Sequence, residues 1–347
     1  MTIEERKPKT GRAVRMLEVA AAAGVSRSTV SNVMRGHASV AEDVRDRVIQ
    51  KADELGYIYN RGAASLRMQQ SNLVGLVIPD IGNPFIAEAV RGAHEALSDQ
   101  GYLVTTIETA DDPARQTVVL QSLAEHRVDG FIVIPALNSD PGAVSRDLGG
   151  LPSVALNRDI RIPGAVYVGP DEVAVARCGA EHLMDVHECS SVSYFGGPSA
   201  ARPRRERLEE FRRLTLERGV EFVDAWSMGS DATAEDAYAR AIELLRLGPP
   251  PAGIQCHSDA IAYGLLRALR DSGVSDRSCR VIGCDDLPDS AYFNPSVTSI
   301  SVDAKLIGKA AAERLLDQFG YSDPATEIPG PHLVTRESCG CHDARPR

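Results

Sequence analysis

Polar and charged side chains follow several short apolar runs in the larger, later part of the sequence. Asp, Asn and Arg carry planar groups that form paired hydrogen bonds with neighbouring hydroxyls, and an aromatic ring covers the apolar face of a sugar. The combination therefore predicts a binding site for a sugar-like molecule. The side chains in question are Asp80, Asn83, Phe85, Asn157, Arg158, Asp159, Ser258, Asp259, Asp285 and Asp286, with Arg202, Arg204, Arg205 and Arg207.

Some of these residues have a simpler interpretation as structural groups. One of Asp285 and Asp286 is expected to cap a helix that follows its strand. Arg204 and Arg205 are expected on a solvated helix face. His257 stands at a strand end, where it could contact a ligand or be a core histidine with its hydrogen bonds satisfied.

A catalytic constellation is not recognisable in the sequence. Residues 197–201 come one glycine short of a nucleophile elbow, and no glycine-rich or Walker loop is present to hold a nucleotide. The Cys-Gly-Cys-His segment at 339–342 resembles one corner of a metal site. However, no second pair stands at finger spacing, and His182 and His187 are not at metal-ligand spacing. We therefore predict no enzyme activity, no metal and no cofactor, and reduced thiols for the seven cysteines.

A second polar surface is predicted on a short helix near the N-terminus. In the segment SRSTVSNVMRG, an apolar stripe is formed by Val30, Val33 and Met34. The opposite face lacks the Glu and Lys mixture of a merely solvated helix, and its residue types reach base edges and phosphates. These outward residues are Arg27, Ser28, Ser31, Asn32 and Arg35.

The elements around this helix predict a helix-turn-helix. A compact helix at 16–24 ends at Gly24, and Ser26 is a suitable N-cap for the second helix. A capping box at 39–42 is expected to begin a third helix, which ends at Gly56 and buries Val44, Val48, Ala52 and Leu55. Two short helices with such a turn place the second in the major groove of DNA. A three-helix bundle without a DNA role is the alternative.

The rest of the chain alternates between apolar runs and helical stretches. The runs are LVGLVIPD, YLVTTIET, GFIVIPA and SVALN, and, after VYVGPD, SVSYFGG, AGIQCHSD and CRVIGCDD. Such runs are typical of strands buried in parallel sheets. Two sets of them predict two doubly wound α/β lobes, with a ligand cleft at the carboxyl ends of their strands.

The distribution of charge supports this division. The chain of 347 residues has a net charge of −10, but residues 1–70 hold 12 Lys and Arg against 8 Asp and Glu, whereas the remainder holds 26 against 40. The basic N-terminal part is therefore the candidate DNA surface. Because no apolar run reaches about 18 residues and the N-terminus lacks a signal-peptide pattern, we expect a cytoplasmic protein without a membrane span.

The segments LEVAAAAGVSRSTVSNVMRG, VRDRVIQKADELGYIYNRGAASLR and LVGLVIPDIGNPF, in this order, resemble the lactose-repressor/galactose-repressor family of bacterial regulators. The resemblance extends from about residue 15 to about residue 340. It implies an N-terminal all-α helix-turn-helix head with a hinge helix, and a periplasmic-binding-protein-like body. The expected divisions are a head at 1–58, with helices at about 16–55, and a hinge at 59–70. The first lobe is expected at 71–168 plus about 301–326, and the second at 169–300 plus about 327–342.

The same resemblance implies residues that bind DNA. Arg27, Ser28 and Asn32 match base-reading positions, and Thr29 and Ser31 are expected to contact phosphate. Because Asn32 replaces the commoner arginine, adenine is expected where others read guanine. In the hinge, Leu66 is expected to wedge into the minor groove, with Asn60, Arg61 and Ala63 also at the DNA. The alternative is that Leu66 packs on the body.

The resemblance also implies effector contacts at positions that match the family's. Arg158 and Arg202 are added to them because both follow predicted strand ends. Ser258 departs from the usual asparagine, which leaves the effector's identity open. The predicted effector-binding residues are Phe85, Asn157, Arg158, Arg202, Arg207, Ser258 and Asp285.

The sequence therefore predicts a DNA-binding transcriptional regulator. We expect a homodimeric repressor that binds near-palindromic double-stranded operator DNA and is controlled by a small molecule, a sugar or sugar derivative, between its lobes. An activator of the same architecture is one alternative. A cytoplasmic small-molecule-binding protein without specific DNA binding is the other.

Overall fold

The computed structural model describes residues 14–34, 39–58, 70–275, 278–321 and 326–341. The chain divides into two compact units between Ser71 and Asn72. We call the first unit the head and the second the body. No helix within these ranges is long and apolar enough to cross a membrane.

The head consists of three helices, α1 (Met16–Ala23), α2 (Arg27–Met34) and α3 (Glu42–Leu55). Gly24 and Gly56 end α1 and α3 in the left-handed conformation, with φ of 67° and 65°, which is the usual C-terminal signal for glycine. The buried side chains are all valine or alanine: Val19, Ala20, Ala23, Val30, Val33, Val48 and Ala52. The predicted helix-turn-helix is present in the head.

Two details of α3 differ from the prediction. The helix begins at Glu42 with Ala41 as its N-cap, so the capping box predicted at Ser39 is wrong. Val40 packs against the core of the head. The backbone at the next residue, Ala41, is not yet helical. Leu55 is 40% exposed instead of buried. After the turn at Gly56, Tyr57 folds back onto the core, and its backbone N–H donates to the carbonyl oxygen of Ala52 at 2.8 Å.

The first lobe of the body contains a parallel sheet of five strands. These are β1 (Leu73–Ile78), β2 (Leu103–Glu108), β3 (Gly130–Val133), β4 (Ser153–Leu156) and β5 (Val166–Val168), in the spatial order β2-β1-β3-β4-β5. Its helices are α4 (Pro84–Asp99), α5 (Pro113–Glu125) and α6 (Pro141–Asp147). The predicted strand at β2 is present, but most of its residues are only partly buried because it is the edge strand.

The second lobe contains a sheet of six strands. They are β6 (Ser191–Phe195), β7 (Glu221–Phe222), β8 (Gly253–Cys256), β9 (Arg280–Cys284), β10 (Thr298–Ser301) and β11 (His332–Val334), in the order β11-β10-β9-β8-β6-β7. All pair in parallel except β11, which is antiparallel to β10. The helices are α7 (Glu172–Glu181), α8 (Arg202–Arg218), α9 (Ala234–Leu247) and α10 (Asp259–Asp271).

One late helix, α11 (Ala304–Gln318), returns the chain to the first lobe. It packs along α4 and contacts β3, β4 and β5. The two helices approach so closely that a Cβ atom at Gly92 would lie 1.9 Å from the carbonyl oxygen of Lys305, and one at Gly308 would lie 1.8 Å from that of Ala89. Glycine is therefore required at both contacts.

Both sheets are covered on two faces, as the doubly wound prediction requires. In β1, Val74, Leu76 and Ile78 belong to a core cluster that also includes residues of α4 and α11, whereas Val77 belongs to a cluster with residues of α5 and α6. This alternation follows from the two-residue period of a strand. The second sheet likewise contributes to two clusters, one of them formed with α9 and α10. The α/β fold class is confirmed.

The strand order places two crevices at the carboxyl ends of the sheets. In each lobe the first strand lies between the second and the third, because β1 separates β2 from β3 and β6 separates β7 from β8. The chain connections therefore leave this strand in opposite directions, and ligands of open α/β sheets bind outside the strand ends at that point. The polar residues after β1, β4, β8 and β9 lie at these carboxyl ends.

Candidate functional site

A cavity between the two lobes brings together six of the seven predicted effector-binding residues. Phe85 lies at the start of α4, Asn157 and Arg158 follow β4, and Ser258 and Asp285 follow β8 and β9. Arg207 reaches the cavity from α8. The remaining lining residues, which the seven predicted contacts did not include, are Asn83, Ile86, Pro198, Ala201, Pro203, Ala232 and His257.

A buried ion pair lies beside this cavity. The guanidinium of Arg207 donates from Nε to the Glu172 carboxylate, and both side chains are at most 5% exposed. Arg207 also donates from Nη1 to the carbonyl oxygen of His257 at 3.0 Å and to the sulfur of Cys284 at 3.4 Å. Burial raises the pKa of Glu172, and the charge of Arg207 partly offsets that rise. Arg207 is thus held in one orientation before any ligand arrives.

Sequence reasoning did not identify Glu172 as part of this site. It is the first residue of α7, directly after Asp171, whose carboxylate caps the helix by accepting from the Ala174 N–H at 2.9 Å. An acidic residue in the first helical turn is common because the helix dipole favours it. Only the approach of α8 distinguishes Glu172 from an ordinary acidic residue at such a position.

Asp285 faces the cavity on a strained backbone. Its φ of 110° lies in a region that residues with side chains rarely adopt, at a cost of about 1–3 kcal/mol. Its N–H donates to the carbonyl oxygen of Ile300 at 2.9 Å, which ties it to β10. Burial holds the pKa of the Asp285 carboxyl well above its usual range, with Asp259 contributing in the same direction. Strain of this kind clusters at ligand-binding positions, because the surrounding structure must maintain it.

Arg158 lines the cavity, and both of its terminal nitrogens form hydrogen bonds with protein groups. It forms a two-pronged pair with Asp111, in which Nη2 donates to Oδ2 at 3.0 Å, and Nη1 also donates to the carbonyl oxygen of Pro135 at 3.0 Å. These bonds join the loops that follow β2, β3 and β4 in the first lobe. The contacts indicate that Arg158 orders the rim of the cavity.

Arg202 lies apart from the other six predicted residues. It lines an adjacent cavity with Asp159, Tyr167 and Glu206, and the two cavities share Asn157 and Pro203. Its guanidinium donates to the carboxylate of Asp159 and to the backbone oxygen of the same residue, the latter at 3.0 Å. Because Asp159 follows β4 and Arg202 begins α8, this ion pair joins the two lobes at the mouth of the cleft.

Two expectations for neighbouring residues are wrong. Arg204 is 5% exposed and donates to the carbonyl oxygens of Gly196 and Ser227 at 2.9 and 3.1 Å, so it is not on a solvated face. Asp286 does not cap a helix, because its carboxylate accepts from Nη2 of Arg336 at 2.6 Å. Ser258, which follows β8, caps α10 by accepting from the N–H of Ile261 at 3.4 Å.

His257 has both of the properties considered for it. Its Nδ1 lies 2.7 Å from the hydroxyl of Tyr194, and the residue also lines the cavity. Burial holds the pKa of His257 well below its usual range, with Arg207 and Arg204 acting in the same direction. The imidazole is therefore neutral near pH 7, and its orientation is fixed from the protein side.

The inner cavity is small in this conformation. Its volume is about 70 Å³, and that of the adjacent cavity is about 220 Å³. Pockets for drug-sized ligands enclose about 300–1,000 Å³. A ligand of that size therefore requires the two lobes to separate or the lining side chains to move.

The second predicted site, on the head, has exposed residues at the start of α2. Arg27 and Ser28 are exposed, and Thr29, Ser31 and Asn32 are half-buried. The hydroxyl of Ser26 accepts from the N–H of Thr29 at 3.1 Å and lies 2.7 Å from the hydroxyl of Ser28. The predicted contacts Arg35, Asn60, Arg61, Ala63 and Leu66, and most of the hinge, lie outside the described residues.

Two family models match this chain. Residues 15–60 match the model described as bacterial regulatory proteins of the lacI family, and residues 180–339 match a periplasmic binding protein-like domain. The chain therefore combines a lacI-family DNA-binding domain with a periplasmic-binding-protein-like domain. The resemblance predicted from the sequence is confirmed, and this chain is a DNA-binding transcriptional regulator.

Curated relatives match this chain over nearly their whole length. The maltose regulon regulatory protein MalI of Escherichia coli is 28% identical over 326 residues, which cover 90% of this chain and 95% of the relative. The ribose operon repressor of Halalkalibacterium halodurans and the transcriptional regulator CelR of Thermobifida fusca are both 29% identical, and each match covers 92% of this chain and 96% of the relative.

Solved structures share the fold of this chain. The lac repressor dimer bound to operator and the anti-inducer ONPF superposes with a TM-score of 0.83 at 24% identity, covering 94% of this chain and 99% of that one. A complex of the transcriptional regulator CelR with cellobiose has a TM-score of 0.69 at 28% identity, with coverage of 94% and 99%. The periplasmic-binding-protein-like body is thereby confirmed.

A group of possible metal ligands lies elsewhere in the described part of the body. His182, His187, Cys339 and Cys341 present their ligand atoms within 4.8 Å of one another. The prediction that His182 and His187 are not spaced to share a metal ion is therefore wrong. His342, the fourth residue of the predicted metal corner, lies outside the described residues.

Proposed function

We propose that this lacI-family regulator is a homodimeric repressor whose affinity for operator DNA is controlled by a sugar or sugar derivative bound between the lobes of its body. The observation that carries the proposal is the convergence of six residues, chosen from the sequence alone, on one cavity at the strand ends of both lobes. Ligand sites of this kind of fold lie at such a crevice.

The side chains around the cavity favour a ligand with several hydroxyl groups. Asn83, Asn157 and Asp285 offer planar amide or carboxyl groups, and Arg207 offers a guanidinium whose position is set by Glu172. Phe85 supplies an aromatic surface. Such groups bind vicinal hydroxyls in pairs, while a ring covers an apolar sugar face. A relative of similar length, CelR, forms a complex with cellobiose, which supports this ligand class.

Binding of the effector would act through a difference in affinity between two conformations. The Arg202–Asp159 ion pair joins the lobes at the mouth of the cleft, so its length depends on how far the cleft is open. A ligand that prefers one cleft width changes the population of that conformation, and such coupling is commonly worth about 1–3 kcal/mol. We propose that the dimer transmits this change to the paired heads.

The head is proposed to read DNA through α2. Its N-terminal residues Arg27 and Ser28 are exposed, as contact with base edges requires. Two copies in a symmetric dimer would read two half-sites, which makes the operator nearly palindromic. The protein would act in the cytoplasm, where that DNA is, and its cleft would serve binding without catalysis. An activator of the same architecture would use the same residues.

The first experiment selects binding sites from random duplex DNA with the purified full-length chain. We expect an enriched near-palindrome and an affinity that falls steeply as the salt concentration rises, because phosphate contacts release counterions. No enrichment above random sequence would reject specific DNA binding. That result would leave the alternative of a small-molecule-binding protein.

The second experiment tests the effector site with the selected operator as probe. Sugars and sugar derivatives are screened for a change in operator affinity and for an increase in Tm. Asp285→Asn is expected to abolish the response to an active sugar while operator affinity without sugar is retained. The matched control is Asp289→Asn, an exposed aspartate outside the cavity. An undiminished response of Asp285→Asn would reject this cleft as the effector site.

A further inference from the structure

Four side chains that can bind a metal meet in the second lobe, and none of them is a predicted effector-binding residue. His182 and His187 come from the end of α7, and Cys339 and Cys341 come from the segment after β11. Their candidate ligand atoms all lie within 4.8 Å of one another. His182 and Cys339 are buried, and His187 and Cys341 are half-buried. The group therefore lies at the edge of the core, within reach of solvent.

Four of the six distances between ligand atoms in this group are close to those around a tetrahedral zinc ion. With Zn–N of about 2.0–2.1 Å and Zn–S of about 2.3 Å, a tetrahedron places nitrogen and sulfur about 3.6 Å apart and two nitrogens about 3.3 Å apart. The Nε2 atom of His182 lies 3.4 Å from Sγ of Cys339 and 3.6 Å from Sγ of Cys341. The Nε2 atom of His187 lies 3.5 Å from Sγ of Cys341 and 3.0 Å from Nε2 of His182.

The backbone at the end of α7 explains how two histidines five residues apart can meet. The helix widens into a π turn over His182–Val186, and the His187 N–H donates to the carbonyl oxygen of His182 at 3.2 Å. The two imidazole rings then lie 4.6 Å apart and nearly perpendicular. π turns are rare and occur frequently at functional sites.

The Cys-Gly-Cys segment is shaped by its glycine and anchored to the second sheet. Gly340 has φ of 87°, which a residue with a side chain rarely adopts, and its N–H donates to the carbonyl oxygen of Glu337 at 2.8 Å. The neighbouring Ser338 is bonded to the backbone of Val281 in both directions, at 2.9 and 2.7 Å. The two sulfurs are therefore held against the sheet by a short, ordered turn.

A hydrogen bond from Thr298 holds the sulfur of Cys339 in place. The hydroxyl of Thr298 accepts from the N–H of Arg336 at 2.7 Å and lies 3.0 Å from Sγ of Cys339, to which it donates. Partners of this kind orient metal ligands and tune their basicity. The Arg280 guanidinium is a further positive group near the turn, because its carbon would lie 4.0 Å from a Cβ atom built on Gly340.

We propose that His182, His187, Cys339 and Cys341 bind one Zn²⁺ ion in a closed structural site. Two imidazoles and two thiolates form a neutral complex with the ion, which suits a partly buried position. Binding releases the two thiol protons to the solvent. The ion would fasten the C-terminal segment to α7, the helix that begins with Glu172 of the buried ion pair. This proposal is independent of the effector's identity.

The test begins with the metal content of the full-length chain without an affinity tag, purified in the presence of a non-chelating reductant. We expect close to one zinc ion per chain by inductively coupled plasma mass spectrometry. Replacement of zinc by Co²⁺ is expected to produce the intense visible absorption of tetrahedral cobalt and a thiolate-to-cobalt charge-transfer band. Removal of the ion with a chelator is expected to lower the Tm, and added Zn²⁺ to restore it.

Matched variants assign the ligands. Cys341→Ser and His187→Gln, at the two half-buried ligands, are expected to lose bound zinc and the cobalt spectrum. Thr298→Val, which keeps the volume but removes the hydrogen bond to Cys339, is expected to lower zinc affinity about 10–100-fold. The controls Cys178→Ser and His94→Gln, which change residues outside the group, are expected to keep one zinc with unchanged affinity.

Four results would overturn the proposal. The first is a tag-free chain that takes up no zinc at micromolar free Zn²⁺, and the second is zinc retained with equal affinity by Cys341→Ser and His187→Gln together. The third is a Cys339–Cys341 disulfide as the stable form under the same reducing conditions. Loss of zinc in His342→Gln would reject this set of four ligands, because that residue is not among them. Operator binding and sugar response are measured separately, so their failure would not affect these outcomes.

Discussion

The predicted recognition residues of the head differ from those of the body in exposure and in the contacts that hold them. In the head, Arg27 and Ser28 are exposed at the start of a helix whose few buried neighbours are valines and alanines. In the body, Arg207 is 5% exposed and is held by Glu172, His257 and Cys284. The head presents charges to solvent, whereas the body withdraws them from solvent before a ligand binds.

This difference follows from the chemistry of the two partners. DNA offers many phosphates and base edges, which solvated side chains reach with little desolvation of the protein. A small neutral molecule offers only a few polar groups, so the protein needs preoriented partners in a region of low dielectric. Substitutions in the head should therefore act independently, while substitutions around Arg207 should be coupled.

The largest expected effect tests the buried pair. Arg207→Met leaves the Glu172 carboxylate buried without its partner, and we expect a loss of about 3–5 kcal/mol in the free energy of unfolding of the body. The double variant Arg207→Met with Glu172→Leu should recover most of this loss, because the buried charge is removed with its partner. Urea unfolding followed by fluorescence of Trp226, the single tryptophan and buried in the second lobe, reports the change.

The corresponding substitution in the head is the control for this comparison. Arg27 is exposed, so Arg27→Met should change the free energy of unfolding by no more than about 0.5 kcal/mol. If Arg207→Met proved as stable as the natural chain, the contrast between a solvated and a buried recognition surface would be lost.

The next effect concerns pH and a second buried carboxyl in the body. Burial raises the pKa of Asp259 to about 6, although Ser290, Ser299 and the Leu287 N–H donate to it. The folded state therefore binds the proton more tightly than the unfolded state. The stabilisation of the folded state by protonated Asp259 is complete below about pH 4 and is lost as the pH rises through about 6. The free energy of unfolding should change by about 3 kcal/mol over this range.

Asp259→Asn removes this titration. The difference in unfolding free energy between the natural chain and the variant should therefore change between pH 4 and pH 6.5, in the direction that favours the natural chain at low pH. Urea midpoints across this range provide the measurement. Parallel pH profiles for the two chains would contradict the assignment of the shift to Asp259.

A smaller effect is expected on the specificity of the head. Asn32→Arg should change the preferred base at one position of each half-site from adenine to guanine, with discrimination of about 1–3 kcal/mol. Site selection from random duplexes measures the change. Gln50→Arg adds the same charge at an exposed position on α3 and should leave the preferred sequence unaltered. An unchanged preference in Asn32→Arg would remove this residue from the base-reading set.

The smallest effect tests how locally the head is built. Ser26→Ala removes the hydroxyl that accepts from the Thr29 N–H and should destabilise α2 by about 1 kcal/mol. Amide hydrogen exchange of α2 in the full-length chain measures the loss, and Ser26→Thr should retain most of the protection. Equal exchange in Ser26→Ala would indicate that packing, and not the cap, determines where α2 begins.

Much of the head could be predicted because its signals lie within a few residues of one another. Gly24, Ser26 and Gly56 end or begin helices by their own backbone and side-chain chemistry, and each has that role in the structure. The capping box predicted at Ser39 is absent where Val40 packs on the core, and Leu55 is exposed where Tyr57 folds back onto the core after the turn at Gly56. Both errors arise where a tertiary contact competes with a local preference.

In the body, the pattern of strands predicted where polar groups would gather but not how they would be paired. Parallel strands bring their carboxyl ends to one edge, so Asn157, Ser258 and Asp285 could be placed near each other from the sequence. Arg204 could not be distinguished from a solvated arginine, because its partners are backbone oxygens brought close only by the fold.

The sequence by itself determined the order of helices and strands, the division into a basic head and an acidic body, and the resemblance to lacI-family regulators. Those features depend on residue type and on spacing along the chain. Only the tertiary structure decided that Glu172 faces Arg207, that Arg202 joins the two lobes, and that His182 and His187 meet Cys339 and Cys341. Each of these contacts joins side chains between 35 and 159 residues apart, and a local pattern contains no information about which distant residues will be packed together.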